Sequence, residues 1–285
     1  MATELTCAIC GGLLGRALLT INHPDRFERR CGISSDGYHR SWVECTSCGT
    51  ATNVLPAASA AALEAIRSAY YEVDFASDNI GIKYSKVISL PPGKSDNWGR
   101  VDRIIKFLAR WQKQEGTKRR VLDIGAGTGV FLSRFLDAVE ESWEAVAVEP
   151  DPIAASHLRS LGRFEVVEGF YQGQTDLRGF DLVTLNKVLE HISEPLPLLR
   201  SVVAALAPGM SILYLELPDK LTIGRRAPED NILGALHCHL YTPSGVLHLL
   251  REAGFEALSI ERIVEPSGKI TIFAFACLPQ ALSDI

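Results

Sequence analysis

From Arg120 onward, short apolar blocks alternate with longer stretches whose apolar positions return every three or four residues. Val121–Ile124, Trp143–Val148, Phe164–Glu168, Phe180–Leu185 and Met210–Leu217 have the length and composition of buried strands. Between them, Val130–Val139, Pro152–Leu161, Pro195–Ala207 and Thr242–Ala253 read as helices, the last stopping at Gly254. Leu258–Val264 and Ile270–Cys277 are two closing strands. The gap between them, Glu265–Lys269 with Pro266, Ser267 and Gly268, suits a hairpin. Strict strand and helix alternation predicts a parallel sheet with helices on both faces. The closing hairpin adds an antiparallel strand at or near one edge.

The pattern differs upstream. Pro56-Ala57-Ala58-Ser59 opens an alanine-rich helix that runs to about Tyr71, and a polar stretch leads to Pro91-Pro92-Gly93. A second helix, about Asp96–Gln114, carries Val101, Ile104, Ile105, Leu108 and Trp111 at helical spacing. Residues 91–120 hold nine basic and three acidic side chains, a local net of +6, readable as a solvated helix face or as a site for a phosphorylated substrate. The chain therefore divides into a Cys-rich zone (1–55), a helical connecting or lid region (56–118) and an α/β domain (119–285).

Composition limits the function classes. At 285 residues, 47% hydrophobic and 22% charged, the chain is globular, with room for one large domain and a small one. A net charge of −5 and a pI near 5.8 argue against a whole-chain grip on nucleic acid. No uncharged apolar run reaches the ~20 residues of a membrane span; the best, Ser201–Leu215, is interrupted by Pro208-Gly209. The start, MATELTCAIC, lacks a basic segment followed by an apolar one, so the expectation is a cytoplasmic protein with reduced thiols.

Five of the seven cysteines fall in the first 48 residues, and four form two Cys-x2-Cys pairs, Cys7/Cys10 and Cys45/Cys48. Two intervening residues let a tight turn aim both sulfurs at one point about 2.3 Å away, as tetrahedral zinc requires. Gly11 and Gly49 follow the pairs and permit the backbone of such a turn. The intervening 34 residues, Gly11 to Glu44, are expected to form an extended hairpin or loop. Cys31, His23 and His39 are spare donors within or beside that insert. Four thiolates close the coordination sphere, so the expected zinc is structural.

The strongest chemical signal is Val121-Leu122-Asp123-Ile124-Gly125-Ala126-Gly127-Thr128-Gly129. A buried strand enters a glycine-rich turn and a helix follows, which lets a ligand lie against backbone at a helix N-terminus. The spacing is Gly125-x-Gly127-x-Gly129, not the dinucleotide Gly-x-Gly-x-x-Gly, and no Lys-Ser/Thr follows to make a phosphate loop. Twenty residues past Gly129, the next strand ends at Glu149, placed to accept hydrogen bonds from both hydroxyls of a ribose.

These motifs resemble the class I S-adenosylmethionine-dependent methyltransferases over about 120–278. The resemblance implies a Rossmann-like seven-stranded sheet, with Asp123, Gly125, Ala126, Gly127 and Gly129 along the methionine part of the cofactor and Glu149 on the ribose. It places Gly169 and Phe170 by the adenine. Phe180–Ile192 is similar to the family's fourth-strand motif, which puts Asn186 beside the cofactor. A double Cys-x2-Cys followed by a tyrosine-containing helix further resembles the sugar C-methyltransferases that act on nucleotide-linked keto sugars. In those, a histidine in the loop before the last helix is catalytic; here that loop reads Leu236-His237-Cys238-His239-Leu240-Tyr241-Thr242-Pro243. Leu236 stands where that family has glutamate, and Pro266-Ser267-Gly268 where it has His-Gly-Gly.

A sulfonium methyl is already activated, so the protein must align an acceptor, exclude water and take a proton where the acceptor carries one. Histidine suits that last task. His237 and His191 are the candidate bases, and Tyr71, with Tyr70, would close over the cofactor or substrate as the resemblance implies. The expected reaction is C- or O-methylation of a small acceptor, a nucleotide-linked sugar or glycan precursor. The competing expectations are an RNA methyltransferase with a zinc module, and a non-catalytic cofactor-binding scaffold.

Overall fold

A computed structural model of the chain describes residues 5–66, 79–111, 118–139 and 142–284. The Cys-rich zone forms strands β1 (Leu14–Ile21), β2 (Arg40–Cys45) and β3 (Ala51–Val54), with a short helix α1 (Arg26–Arg30) between the first two. The insert is thus an antiparallel β1–β2 hairpin with a helix at its far end. Asp25 starts that helix by accepting from the backbone N–H groups of Phe27 and Glu28, while Glu28 reaches back to the N–H of Asp25.

Helices α2 (Ala57–Ile66), α3 (Ile80–Ile88) and α4 (Asp96–Trp111) follow. The expected continuations of α2 to Tyr71 and of α4 to Gln114 lie outside the described residues, and Tyr70 and Tyr71 with them. Helix α3 occupies the stretch that reads as polar. Asn79 caps its N-terminus by accepting from Gly81 N–H, and Arg134 donates to the Ile88 carbonyl near its other end at 2.6 Å.

The remainder consists of β4 (Arg119–Ile124), α5 (Val130–Ala138), β5 (Trp143–Glu149), α6 (Pro152–Leu161), β6 (Glu165–Glu168), β7 (Leu182–Asn186), α7 (Pro195–Val202), β8 (Ile212–Pro218), β9 (His239–Leu240), α8 (Pro243–Glu252), β10 (Glu256–Val264) and β11 (Ile270–Cys277). Seven strands form one sheet in the order β10-β11-β8-β7-β4-β5-β6. All neighbours from β8 through β6 pair in parallel, whereas β11 runs antiparallel to both β8 and β10. This is the Rossmann-like methyltransferase sheet. The strand order reverses between β4 and β7, and the crevice outside their carboxyl ends is where such sheets bind ligands.

Period-two alternation supplies a core on each face. Leu122, Val183 and Leu213 point to one, packed under Leu199 of α7 and Leu249 of α8. Val121, Leu182 and Ile212 point to the other, under Ile104 of α4 and Phe135 of α5. Each such side chain, fully buried, contributes about 1.5–3 kcal/mol. Helix α4 belongs to this packing: Phe107 stacks on Phe275 with centroids 3.9 Å apart, and Trp111 donates to the Met210 carbonyl.

A second sheet has the order β1-β2-β3-β9. Its fourth strand comes from the long connection after β8, through Ala51↔Leu240 and Thr52↔His239. Cys7, Ile9, Cys45 and Cys48 share a core with Tyr241 and Val246. The N-terminal zone and the loop before the last helix are therefore built into one another.

Candidate active site

Near the end of β4, Asp123 is buried against the neighbouring strand β7. Its Oδ1 accepts from Thr184 Oγ1 at 2.6 Å and from Asn186 Nδ2 at 3.0 Å. Burial pushes its carboxyl up to about 6, against the pull of those two donors. The turn that follows is left-handed at Gly125 (φ 74), Gly127 (φ 56) and Gly129 (φ 74). A Cβ at Gly125 would fall 2.6 Å from Val188 Cγ2, and one at Gly129 2.6 Å from Leu158 Cδ2. Both conformation and space exclude a side chain at these two positions.

Glu149, at the tip of β5, turns back over the glycine turn. Its Oε2 accepts from Gly127 N–H at 2.7 Å and its Oε1 from Asp151 N–H at 3.0 Å. Burial raises its carboxyl to about 7, opposed by these backbone donors. Gly169, with φ 130, donates its N–H to the Glu149 carbonyl at 3.0 Å. Phe170 beside it is 54% exposed. Glu168 instead pairs with Arg159 on the surface at 2.8 Å.

These residues border a cleft of about 580 Å³ whose walls include Gly125, Glu149, Gly169, Phe170, His191 and Leu236. Tyr171 and Lys187 also line it; Lys187 lies within the fourth-strand motif, which does not single it out, and no motif marks Tyr171. Asp123, Ala126, Gly127, Gly129 and Asn186 stand behind or beside the wall.

His191, also on the cleft wall, meets His237 edge to face with ring centroids 4.6 Å apart. His191 forms part of the wall, whereas His237 packs against it from the loop after β8. His191 Nδ1 lies 3.1 Å from the Leu236 carbonyl and His237 Nδ1 2.7 Å from the Ile232 carbonyl. A carbonyl only accepts, so both rings carry their hydrogen on Nδ1 when neutral and their lone pair on Nε2. Burial, then the neighbouring His191, holds His237 well below the usual histidine range, so it is neutral at pH 7. A carboxylate oxygen of buried Glu190 comes within 4.8 Å of ring nitrogens of both histidines. Burial raises Glu190 to about 7, with Lys187 working against it.

Lys187 is the one non-glycine residue with positive φ (61) among the described residues. Its ammonium donates to Thr271 Oγ1 at 2.8 Å and lies 3.8 Å from Glu216. None of the described basic residues of 91–120 lines the cleft. Arg100 makes a two-pronged bond to Glu216, and Arg103 reaches Glu216 at 3.1 Å and Glu265 at 3.4 Å. Burial alone would raise Glu216, but the Arg100 guanidinium holds it well below the carboxylate range. Lys106 pairs with Asp102, and Lys118 with Glu144, both at the surface. Of the basic residues in this segment, Arg100 and Arg103 thus enter a buried network, while Lys106 and Lys118 form surface pairs.

The four sulfurs of Cys7, Cys10, Cys45 and Cys48 lie within 4.8 Å of one another. Cys7–Cys48 is 3.8 Å and Cys10–Cys45 is 3.4 Å. The edge of a tetrahedron with zinc–sulfur bonds of about 2.3 Å is ~3.8 Å, so the donor set fits zinc. Cys31, His23 and His39 are not in this cluster: Cys31 faces the Ala62 carbonyl, His23 faces Glu229, and His39 is exposed.

The family model described as "Methyltransferase domain" matches residues 96–260, more than half of the chain. The chain belongs to this family, and its strand order and motifs are those of a class I S-adenosylmethionine-dependent methyltransferase domain. A "Ubiquinone biosynthesis O-methyltransferase" of Xanthomonas campestris pv. campestris (strain B100) is 33% identical over 103 residues, 34% of this chain and 43% of that protein. The same-named protein of Actinobacillus pleuropneumoniae serotype 7 (strain AP76) is 31% identical over 104 residues, 34% of this chain and 44% of that protein. The chain thus spans less than half the length of these curated relatives.

Among solved structures, the Burkholderia thailandensis 1,6-didemethyltoxoflavin-N1-methyltransferase, with S-adenosylhomocysteine bound, shares the fold at a TM-score of 0.55 and 18% identity. It covers 81% of this chain and 95% of its own. The CurJ carbon methyltransferase has a TM-score of 0.54 at 18% identity, covering 73% of this chain and 61% of its own. No helix among the described residues is long and apolar enough to cross a membrane.

Proposed function

We propose that this enzyme moves the methyl group of S-adenosylmethionine to an oxygen or carbon of a small molecule, a nucleotide-linked sugar or related glycan precursor, bound against the His191–His237 wall. The observation that carries the reading is that Gly125, Glu149 and His191 line one and the same cleft. When bound, the cofactor supplies an electrophilic methyl carbon.

The chain's residues do the rest. Glu149, already accepting from Gly127 and Asp151 N–H, presents carboxylate oxygens to the ribose hydroxyls. The turn at Gly125 lets the methionine part lie on backbone, and Asp123 fixes Asn186 beside it. Gly169 and Phe170 border the adenine. Nε2 of His191 takes the proton of the acceptor hydroxyl, or of the carbon next to a carbonyl, as the bond to methyl forms. His237 stands behind as the second imidazole.

The acceptor atom is the part that the family leaves open, since the names of its similar proteins specify oxygen, nitrogen and carbon. The sugar acceptor is supported by the four-cysteine module together with the histidine-bearing loop, the pairing that resembles the sugar C-methyltransferases. The test is incubation with methyl-labelled cofactor and pools of nucleotide sugars, with mass analysis of products. A labelled sugar nucleotide supports the reading; label in RNA, or in a small molecule of another class, overturns the acceptor assignment.

A further inference from the structure

The loop from Ile232 to Cys238 divides its carbonyl oxygens between two sets of partners. Those of Ile232 and Leu236 face the Nδ1 atoms of His237 and His191. Those of Leu233, Gly234, His237 and Cys238 face the Cys-rich zone. The Leu233 carbonyl accepts from Arg40 Nη1 at 2.7 Å and Trp42 Nε1 at 3.3 Å. Asn53 takes the other three: its Nδ2 donates to Gly234 at 3.2 Å and His237 at 2.9 Å, and its N–H to Cys238 at 2.9 Å. Asp25, the cap of α1, accepts from Ala235 N–H at 2.7 Å. Both the insert and the strands beside the second cysteine pair therefore grip the loop.

These bonds fix peptide planes. Once the carbonyls on either side are held outward, those of Ile232 and Leu236 have fixed directions, and those directions set the tautomer of each imidazole. We propose that Asn53 is a positioning residue for the histidine pair, which makes the cysteine module a structural part of the acceptor site rather than an appended domain. Asn53 acts through the backbone of the loop, not by contact with either imidazole. The proposal deepens the proposed function and rests on its assignment of the proton to this histidine pair.

The arrangement also separates two properties of the enzyme. The cofactor end of the cleft is built by β4, β5 and the turns after them, through bonds made within the α/β domain. Loss of the Asn53 amide should therefore disturb the histidines and leave the cofactor end as it was. The charged and titratable groups around His237 are His191, Glu190, Lys187 and Lys269, and none of them changes in an Asn53 variant.

The experiment is nitrogen-resolved NMR of histidine-labelled, metal-loaded protein, wild type against Asn53→Leu, with His191→Asn and His237→Asn to assign the signals. Titration with S-adenosylhomocysteine accompanies it. In the wild type both rings are expected as the single tautomer protonated at Nδ1. In Asn53→Leu a second tautomer protonated at Nε2 appears at one or both rings, amide exchange across residues 231–242 accelerates at least tenfold, and S-adenosylhomocysteine affinity stays within about twofold. Should Asn53→Leu not fold, Asn53→Ser, which stays small and polar but cannot span two carbonyls, is measured instead. Unchanged tautomers and unchanged exchange in a folded variant overturn the proposal. Loss of S-adenosylhomocysteine binding with unchanged tautomers also overturns it. Failure of every sugar acceptor would instead count against the proposed function alone, because these readouts use no acceptor.

Discussion

Gly127 donates its backbone N–H to Glu149 Oε2 at 2.7 Å, tying the tip of the second strand of the α/β domain to the glycine turn of the first. The bond gives the carboxylate proposed to hold the ribose one direction. It also links that carboxylate to pH, because burial has raised it from 4.5 to about 7. A raised acid favours the folded state most strongly below the ordinary carboxylate value, and that contribution is lost as pH climbs through about 7. Binding to ribose hydroxyls requires the ionised form and runs the other way. S-adenosylhomocysteine should bind about tenfold more weakly near pH 6 than near pH 8. Calorimetry at both values, on wild type and Glu149→Gln, checks this; the variant should lose most of the pH dependence and about 2 kcal/mol of affinity.

Gly129→Ala should fail at the same site for a steric reason. The new methyl would lie 2.6 Å from Leu158 Cδ2 at a position with φ 74. A loss of about 1–3 kcal/mol in unfolding free energy is expected, with weaker S-adenosylhomocysteine binding. Denaturant titration and calorimetry read the two effects; a variant matching wild type in both would show that the turn is more forgiving than its geometry indicates.

Removing Glu216 leaves Arg100 buried without its carboxylate. Glu216→Ala should lower stability by about 3–5 kcal/mol. Glu216 is not among the residues lining the cleft, so the surviving folded fraction should still bind S-adenosylhomocysteine. Thermal unfolding with and without that ligand separates the two statements.

The cysteine cluster makes a compositional prediction. Metal analysis of protein prepared with zinc should give one zinc per chain, and Cys7→Ser or Cys48→Ser should give substoichiometric metal and a lower melting temperature. Both sulfurs sit in the core that also holds Tyr241 and Val246, so unfolding of the loop before α8 should accompany metal loss. Metal content unchanged in both variants would sink the assignment.

His191 lines the cleft and His237 does not. With an acceptor in hand, His191→Asn should reduce turnover by about 10²–10⁴ with little change in cofactor affinity. His237→Asn should cost less. Equal turnover of His191→Asn and wild type would remove the proton-accepting role.

The α/β domain was legible because its strands are short, apolar and separated by helices with caps and stops, such as Pro152 and Gly254. The glycine turn and the acid at 149 were legible because they follow in sequence order at the ends of successive strands, and the left-handed turn at 125 admits no side chain. What the sequence hid was pairing across distance. Strand β9 is only His239-Leu240, too short for any periodicity, and exists because Ala51 and Thr52 pair with it. Helix α3 carries Ile80, Ile82, Val87 and Ile88 without a clear periodic face; Ile80 is buried, and Asn79 and Arg134 bind near its two ends. Tyr171 gave no signal, since a tyrosine in a loop is common, and the fourth-strand motif that contains Lys187 does not single it out. The convergence of His191 and His237, 46 positions apart, depends on the loop that the cysteine module holds.

Calorimetric titration of zinc-loaded wild-type protein with S-adenosylhomocysteine tests the central claim most directly. One molecule is expected to bind per chain, with the heat abolished when both Asp123 and Glu149 are changed to alanine in a folded variant. No binding to the wild type, or undiminished binding to that double variant, would contradict the account.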